Sequence, residues 1–170
     1  MKQIIKITTI MFAFFLFTGV ATAQKYGYIN TQALLAEMQD VKQARANLEV
    51  FQKQLQAKGK KMVDALQAKY QKVQQDAQAG KLSPQQQEEQ GKILQAEQEK
   101  IAQFQQTSQQ QLAKKEADLL EPILKRVNDA IKSIATENGY NAIFDTSTSV
   151  LLYADDNMDV TSLVKSKLGI

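Results

Sequence analysis

One pattern restricts what this chain can fold into. From about Val41 to Glu121, some eighty residues of Gln-rich, helix-forming sequence carry a sparse apolar stripe that is interrupted once. Before the interruption the stripe runs Val41, Ala44, Leu48, Phe51, Leu55, then Met62, Leu66, Tyr70, Val73 and Ala77. After it come Leu94, Ile101, Phe104, Leu112 and Leu119. Steps of three and four put such side chains on one narrow face of a helix. The interruption is Gly80-Lys81-Leu82-Ser83-Pro84. Gly80 can take the left-handed conformation that closes a helix. Ser83, Pro84 and Gln86 are suited to N-cap, first helical position and capping box of a second helix. The pattern predicts a long antiparallel helical hairpin, with its tip near residues 80–84, projecting from something smaller.

The flanks differ in kind. Residues 1–23 read as a secretory signal peptide: Lys2 and Lys6, an apolar run from Ile7 to Phe17, then Ala21-Thr22-Ala23 as the cleavage site. The run is short for a span of about 20 residues, which disfavours an uncleaved anchor. The mature chain would begin at Gln24. Lys25 to Asn30 reads as a short strand, and Asn30 or Thr31 can cap a helix holding Ala33, Leu34, Leu35 and Met38. Asp40 is the expected punctuation before the long arm. Pro122 falls inside continuous helical pattern, where it removes a backbone hydrogen bond and kinks the helix. Beyond it the apolar face thickens: Ile123, Leu124, Val127, Ala130, Ile131, Ile134 and Ala135. Pro122 therefore marks the expected root of the hairpin. Asn138-Gly139 closes the helix. Tyr140–Asp145 and Val150–Tyr153 read as two strands around a turn, and Asp159 as the cap of a last helix carrying Val160, Leu163, Val164 and Leu168.

The expected fold is mainly α with a small β part. A hairpin over residues 41–121 projects from a small β-rich oligomerisation body formed by residues 24–40 and 122–170. Three short strands make a marginal sheet with open edges, which favours pairing with further copies.

Composition narrows the function. The chain has no Cys, His or Trp. The usual general base, the thiol nucleophile and the commonest transition-metal ligands are therefore missing. Nothing argues for an enzyme, and no catalytic, cofactor-binding or metal-binding residue is assigned. Asp155, Asn157 and Asp159 stand at the first, third and fifth positions of a calcium loop. Val160 occupies the glycine position and the twelfth-position glutamate is missing, so a turn and helix cap is the better reading. The net charge of +3 includes Lys2 and Lys6; without them 19 basic residues face 18 acidic ones. The residual charge is uneven. Residues 41–80 carry eight basic and three acidic side chains, and residues 81–121 carry five and seven. Near-zero mature charge and no recognised motif argue against nucleic acid as a partner.

The stretch Glu137-Asn138-Gly139-Tyr140-Asn141-Ala142-Ile143-Phe144-Asp145 and the ending Leu151-Leu152-Tyr153-Ala154-Asp155-Asp156-Asn157-Met158-Asp159-Val160-Thr161-Ser162-Leu163-Val164 flank the hairpin's return and close the chain. With the signal peptide, the Tyr26–Asn30 strand and the long hairpin, they resemble the Skp (OmpH-like) periplasmic chaperone family over the whole mature chain. The resemblance implies a homotrimer whose small bodies join while three hairpins surround a cavity. It also implies an ATP-independent periplasmic holdase without cofactors, which keeps unfolded outer-membrane proteins soluble on their way to the outer membrane. Better-known members are strongly basic, whereas this mature chain is nearly neutral.

Within the arms, Phe51, Tyr70 and Phe104 are the aromatic candidates for touching clients; the alternative is that they fill the seam between the arms, the default for residues at this spacing. Lys58, Lys60 and Lys61, with Lys53, Lys69 and Lys72, could attract acidic clients or an anionic lipid surface. The alternative is a solvated face with partners four residues away. Between Phe104 and Leu112 stand only polar residues, so the seam should be loosely packed there and able to flex. A second function class fits the same features: a non-enzymatic envelope spacer or adaptor whose hairpin docks on a helical partner.

Overall fold

The computed structural model describes residues 24–148 and 151–170. The expected signal peptide lies outside them. The chain runs β1 (Tyr26–Ile29), α1 (Thr31–Glu37), α2 (Gln39–Gln78), α3 (Pro84–Asn138), β2 (Ala142–Asp145), 3-10 turns at Thr146–Thr148 and Asp156–Met158, and α4 (Thr161–Leu168). The mainly helical hairpin with a small β part is what the stripe and the flanks predict.

Each boundary has a local cause. Asn30 caps α1, its Oδ1 accepting from the Ala33 amide at 2.9 Å. The break before the long arm falls at Met38, whose ψ of 128° is extended, rather than at Asp40, which sits in the first turn of α2. Gly80 takes φ +66°. The amides of Gly80 and Lys81 then reach back to the carbonyls of Ala77 (3.1 Å) and Asp76 (2.9 Å), the paired closure of a Schellman motif. Three residues later the capping box forms: the Gln86 amide donates to Ser83 Oγ (3.3 Å), and the Ser83 amide to Gln86 Oε1 (2.8 Å). Chain reversal within five residues makes α2 and the first part of α3 antiparallel. At 1.5 Å per residue each arm is about 55–60 Å long.

The core lies at the hairpin's root. Ile29, Leu34, Met38, Val41 and Ala44 pack with Ile123, Val127, Ala130 and Ile134 of α3, and Val160 and Val164 complete the cluster. α3 runs unbroken through Pro122. Before that proline its one buried residue is Leu94, and after it four are buried. β1 pairs with β2 in parallel, from Tyr26 opposite Ala142 to Ile29 opposite Asp145. Gly27 is needed there: a Cβ would lie 2.8 Å from Val160 Cγ1 and 3.1 Å from the Tyr140 ring. Lys165–Glu37 and Lys167–Glu137, each at 2.6 Å, pin α4 across the body.

One expected strand does not form. Leu151–Ala154 has no regular structure, and Val150 lies outside the described residues. Strands need a partner. The outer edge of β1 is engaged where the Val160 amide donates to the Tyr28 carbonyl (3.0 Å), and β2 passes directly into the 3-10 turn at Thr146–Thr148. The sheet therefore has two strands, with Asp159 bridged to Tyr28. Leu152 and Tyr153 are left 96% and 85% exposed. Asp159 also caps differently from expectation: α4 begins one residue later, with Val160 at the N-cap, while the Asp159 carboxylate accepts from the Thr161 amide at 2.8 Å.

Candidate functional site

The hairpin's seam is built from the stripe. Of its fifteen residues, all but Tyr70 are buried or half-buried. Burial is thin, however: along the arms beyond Ala44, only Leu94 is buried. Phe51 and Phe104 are half-buried in the seam, as the core reading of the aromatic candidates expects. Tyr70 is 56% exposed, its polar hydroxyl favouring the wet side. Two of the three aromatics are thus partly covered and the third is exposed.

The basic candidates divide in the same way. Lys60 pairs with Asp64 (3.2 Å) and Lys53 with Glu49 (2.6 Å), both four residues apart on α2. Lys53's hydrogen bond holds the Glu49 carboxyl below its usual range. Lys69 crosses the seam to Glu97. Lys58 places its ammonium 5.3 Å from the Phe104 ring centroid, a cation–π contact. Lys61 and Lys72 are exposed and have no ion pair among the described residues. The solvated-face reading accounts for Lys53 and Lys60. Lys58, Lys61 and Lys72 remain able to face an incoming partner.

Midway along the hairpin the seam opens into a groove of about 540 Å³. Leu55 and Val63 of α2 and Ile101, Phe104 and Leu112 of α3 form its walls. Gln52, Gln56, Gln105 and Gln109 stand along it as well, all exposed. Gly59 faces Phe104, whose ring would lie 3.3 Å from a Cβ added there. Ser108 Oγ is buried with no hydrogen-bond partner among the described residues. The signals for this groove were present in the sequence: a glycine inside the first arm and the apolar gap between Phe104 and Leu112.

The body has its own exposed apolar surface. Tyr26 and Phe144 lie side by side on β1 and β2, ring centroids 6.2 Å apart, and both are exposed. Leu152 and Tyr153 add to it. Burial, then the charges of Asp159, Asp156 and Asp155, push the Tyr28 phenol upward. Among the described residues no group of three or more potential ligands could hold a metal ion, and no helix is long and apolar enough to cross a membrane.

The model of the family "Outer membrane protein (OmpH-like)" matches residues 25–168. The chain belongs to the OmpH-like family. Among solved structures, this OmpH-like chain is similar to one from Caulobacter crescentus described as a candidate outer-membrane chaperone (OmpH-like). Identity is 19%, the TM-score 0.72, and the match covers 89% of each chain, which shows a shared fold. The search of curated proteins finds no match.

Proposed function

We propose that this OmpH-like protein is an ATP-independent periplasmic holdase that binds unfolded outer-membrane proteins and keeps them soluble in transit. The observation that carries this reading is the hairpin itself: two arms about 55–60 Å long whose seam is only thinly buried. Such arms offer many weak apolar and polar contacts, and multivalent weak contact gives avidity without a fixed motif. No chemistry is needed, in keeping with a chain that lacks Cys and His. Membership of the OmpH-like family supports the reading, and residues 1–23 supply the export signal it requires.

In this account residues 24–40 and 122–170 form the body and residues 41–121 the arm. Bodies join as a homotrimer. The free edge of β2 and the exposed Tyr26 and Phe144 on the sheet support self-association, because an open strand edge beside apolar side chains invites pairing, and Leu152 and Tyr153 are further exposed apolar side chains. Clients enter between the arms, where Phe51, Lys58, Lys60, Lys61, Tyr70 and Phe104 contribute contacts. The basic arm also meets anionic lipid surfaces weakly.

The test is suppression of aggregation. Mature protein mixed without nucleotide with a urea-unfolded outer-membrane barrel should keep it soluble at a few-fold molar excess. Aggregation undiminished at that excess would contradict the reading; a single stoichiometric partner recovered from envelope extracts would instead favour a spacer. Intact mass should start at Gln24.

A further inference from the structure

The mid-hairpin groove has an unusual combination of linings. Its walls are apolar, supplied by Leu55, Val63, Ile101, Phe104 and Leu112. Its rim is amide, supplied by four exposed glutamines. Each glutamine offers two N–H donors and a carbonyl acceptor without net charge. Of the two lysines that border it, Lys60 is engaged by Asp64 and Lys58 lies over the Phe104 ring. A charged headgroup would meet only these two engaged lysines. The surface suits a peptide: an apolar side chain for the walls, with backbone N–H and C=O groups for the rim.

The floor is loosely packed. A serine in a helix ordinarily donates to the carbonyl four residues back. For Ser108 that carbonyl is Phe104's, and the Thr107 hydroxyl already bonds to it at 3.1 Å, as well as to Gln103's at 2.9 Å. Ser108 Oγ is left buried and unpaired. Orphan buried polar atoms are rare in native structures, and this one marks a place where the two helices are imperfectly packed. Space is sufficient: a cavity of about 150 Å³ accepts a benzene ring, and this groove is more than three times that size.

We propose that this groove seats one large apolar side chain of an extended, unfolded client, with the client's flanking backbone amides on the glutamine rim. The inference rests on the holdase reading and deepens it by placing a site midway along the hairpin, between its two arms. An extended strand presents alternate residues on opposite sides. Segments of transmembrane β-barrels alternate apolar and polar residues. One apolar residue can thus enter the groove while its polar neighbours remain in water.

The test places a photo-crosslinking residue, p-benzoylphenylalanine, in the full mature chain at Gln105 on the rim, or at Gln103, two residues away and pointing to the other side of α3. With a urea-unfolded outer-membrane barrel as probe, Gln105 should give at least about fivefold more client adduct than Gln103. Ser108→Phe, which fills the groove from α3, should remove that difference. Equal adducts at both positions while aggregation is still suppressed would overturn the groove and leave the holdase reading standing. No adduct together with no suppression would overturn both. Adducts to a second copy of the chain without client, or adducts competed away by phosphatidylglycerol vesicles, would also overturn the proposal. If Ser108→Phe loses helix by circular dichroism, the comparison of Gln105 with Gln103 decides alone.

Discussion

Single residues carry two parts of the body. At Gly27 any side chain meets Val160, Tyr140 and the Met158 carbonyl, and the last is backbone that cannot swing away. Gly27→Ala should cost about 1–3 kcal/mol, in the range of overpacked cores, read as a lower urea midpoint; an unchanged midpoint would show that β1 and Val160 separate freely. Asp145 joins the two ends of the chain. It accepts from the Thr31 hydroxyl and amide and from the Ser147 amide (2.9 Å). Burial pushes the Asp145 carboxyl up, but these hydrogen bonds outweigh it and hold it below its usual range. A depressed carboxyl stabilises the fold above its unfolded value, near 4, and loses that contribution as pH falls through the folded value. The melting difference between wild type and Asp145→Asn should be full at pH 7 and shrink below about pH 4. A difference independent of pH would remove the ionised carboxylate from the account. These contacts join segments 114 residues apart, so spacing alone cannot reveal them; Tyr26-Gly27-Tyr28 shows a strand, but not which neighbour requires the glycine.

At the scale of elements, the helices were legible because their signals are local. The stripe, Gly80, the Ser83–Gln86 box and the Asn138-Gly139 stop all act within a few residues, and the structure realises each. Pairing was less legible. Val150–Tyr153 has the composition of a strand, yet Leu151–Tyr153 has no partner in this chain, because strands depend on neighbours that composition does not name. Exposure of Tyr70 has the same origin: position on the stripe does not say whether the facing arm covers the ring. The capping box predicts a local effect. Ser83→Ala should cost about 1 kcal/mol at the start of α3. Because the main core sits at the root, this loss should appear as faster amide exchange near residues 84–90, with little change in global unfolding. A global destabilisation of the same size would mean that tip and body unfold together.

For the whole molecule, the buried core and the proposed client surface lie in different parts. The buried core gathers at the hairpin's root, Val41 and Ala44 included, and beyond Ala44 the two long helices bury only Leu94 before Pro122. The exposure of Leu152 and Tyr153 predicts that replacing both with Ser weakens the proposed association, seen by light scattering as a fall in mass toward monomer. An unchanged mass would remove this surface from the interface. The central claim is that joined bodies hold several arms around one unfolded client. Native mass spectrometry of mature protein with a urea-unfolded outer-membrane barrel tests it most directly. The account predicts complexes of three chains with one client, unaffected by nucleotide. A monomeric chain, or no complex with the unfolded barrel, would contradict it.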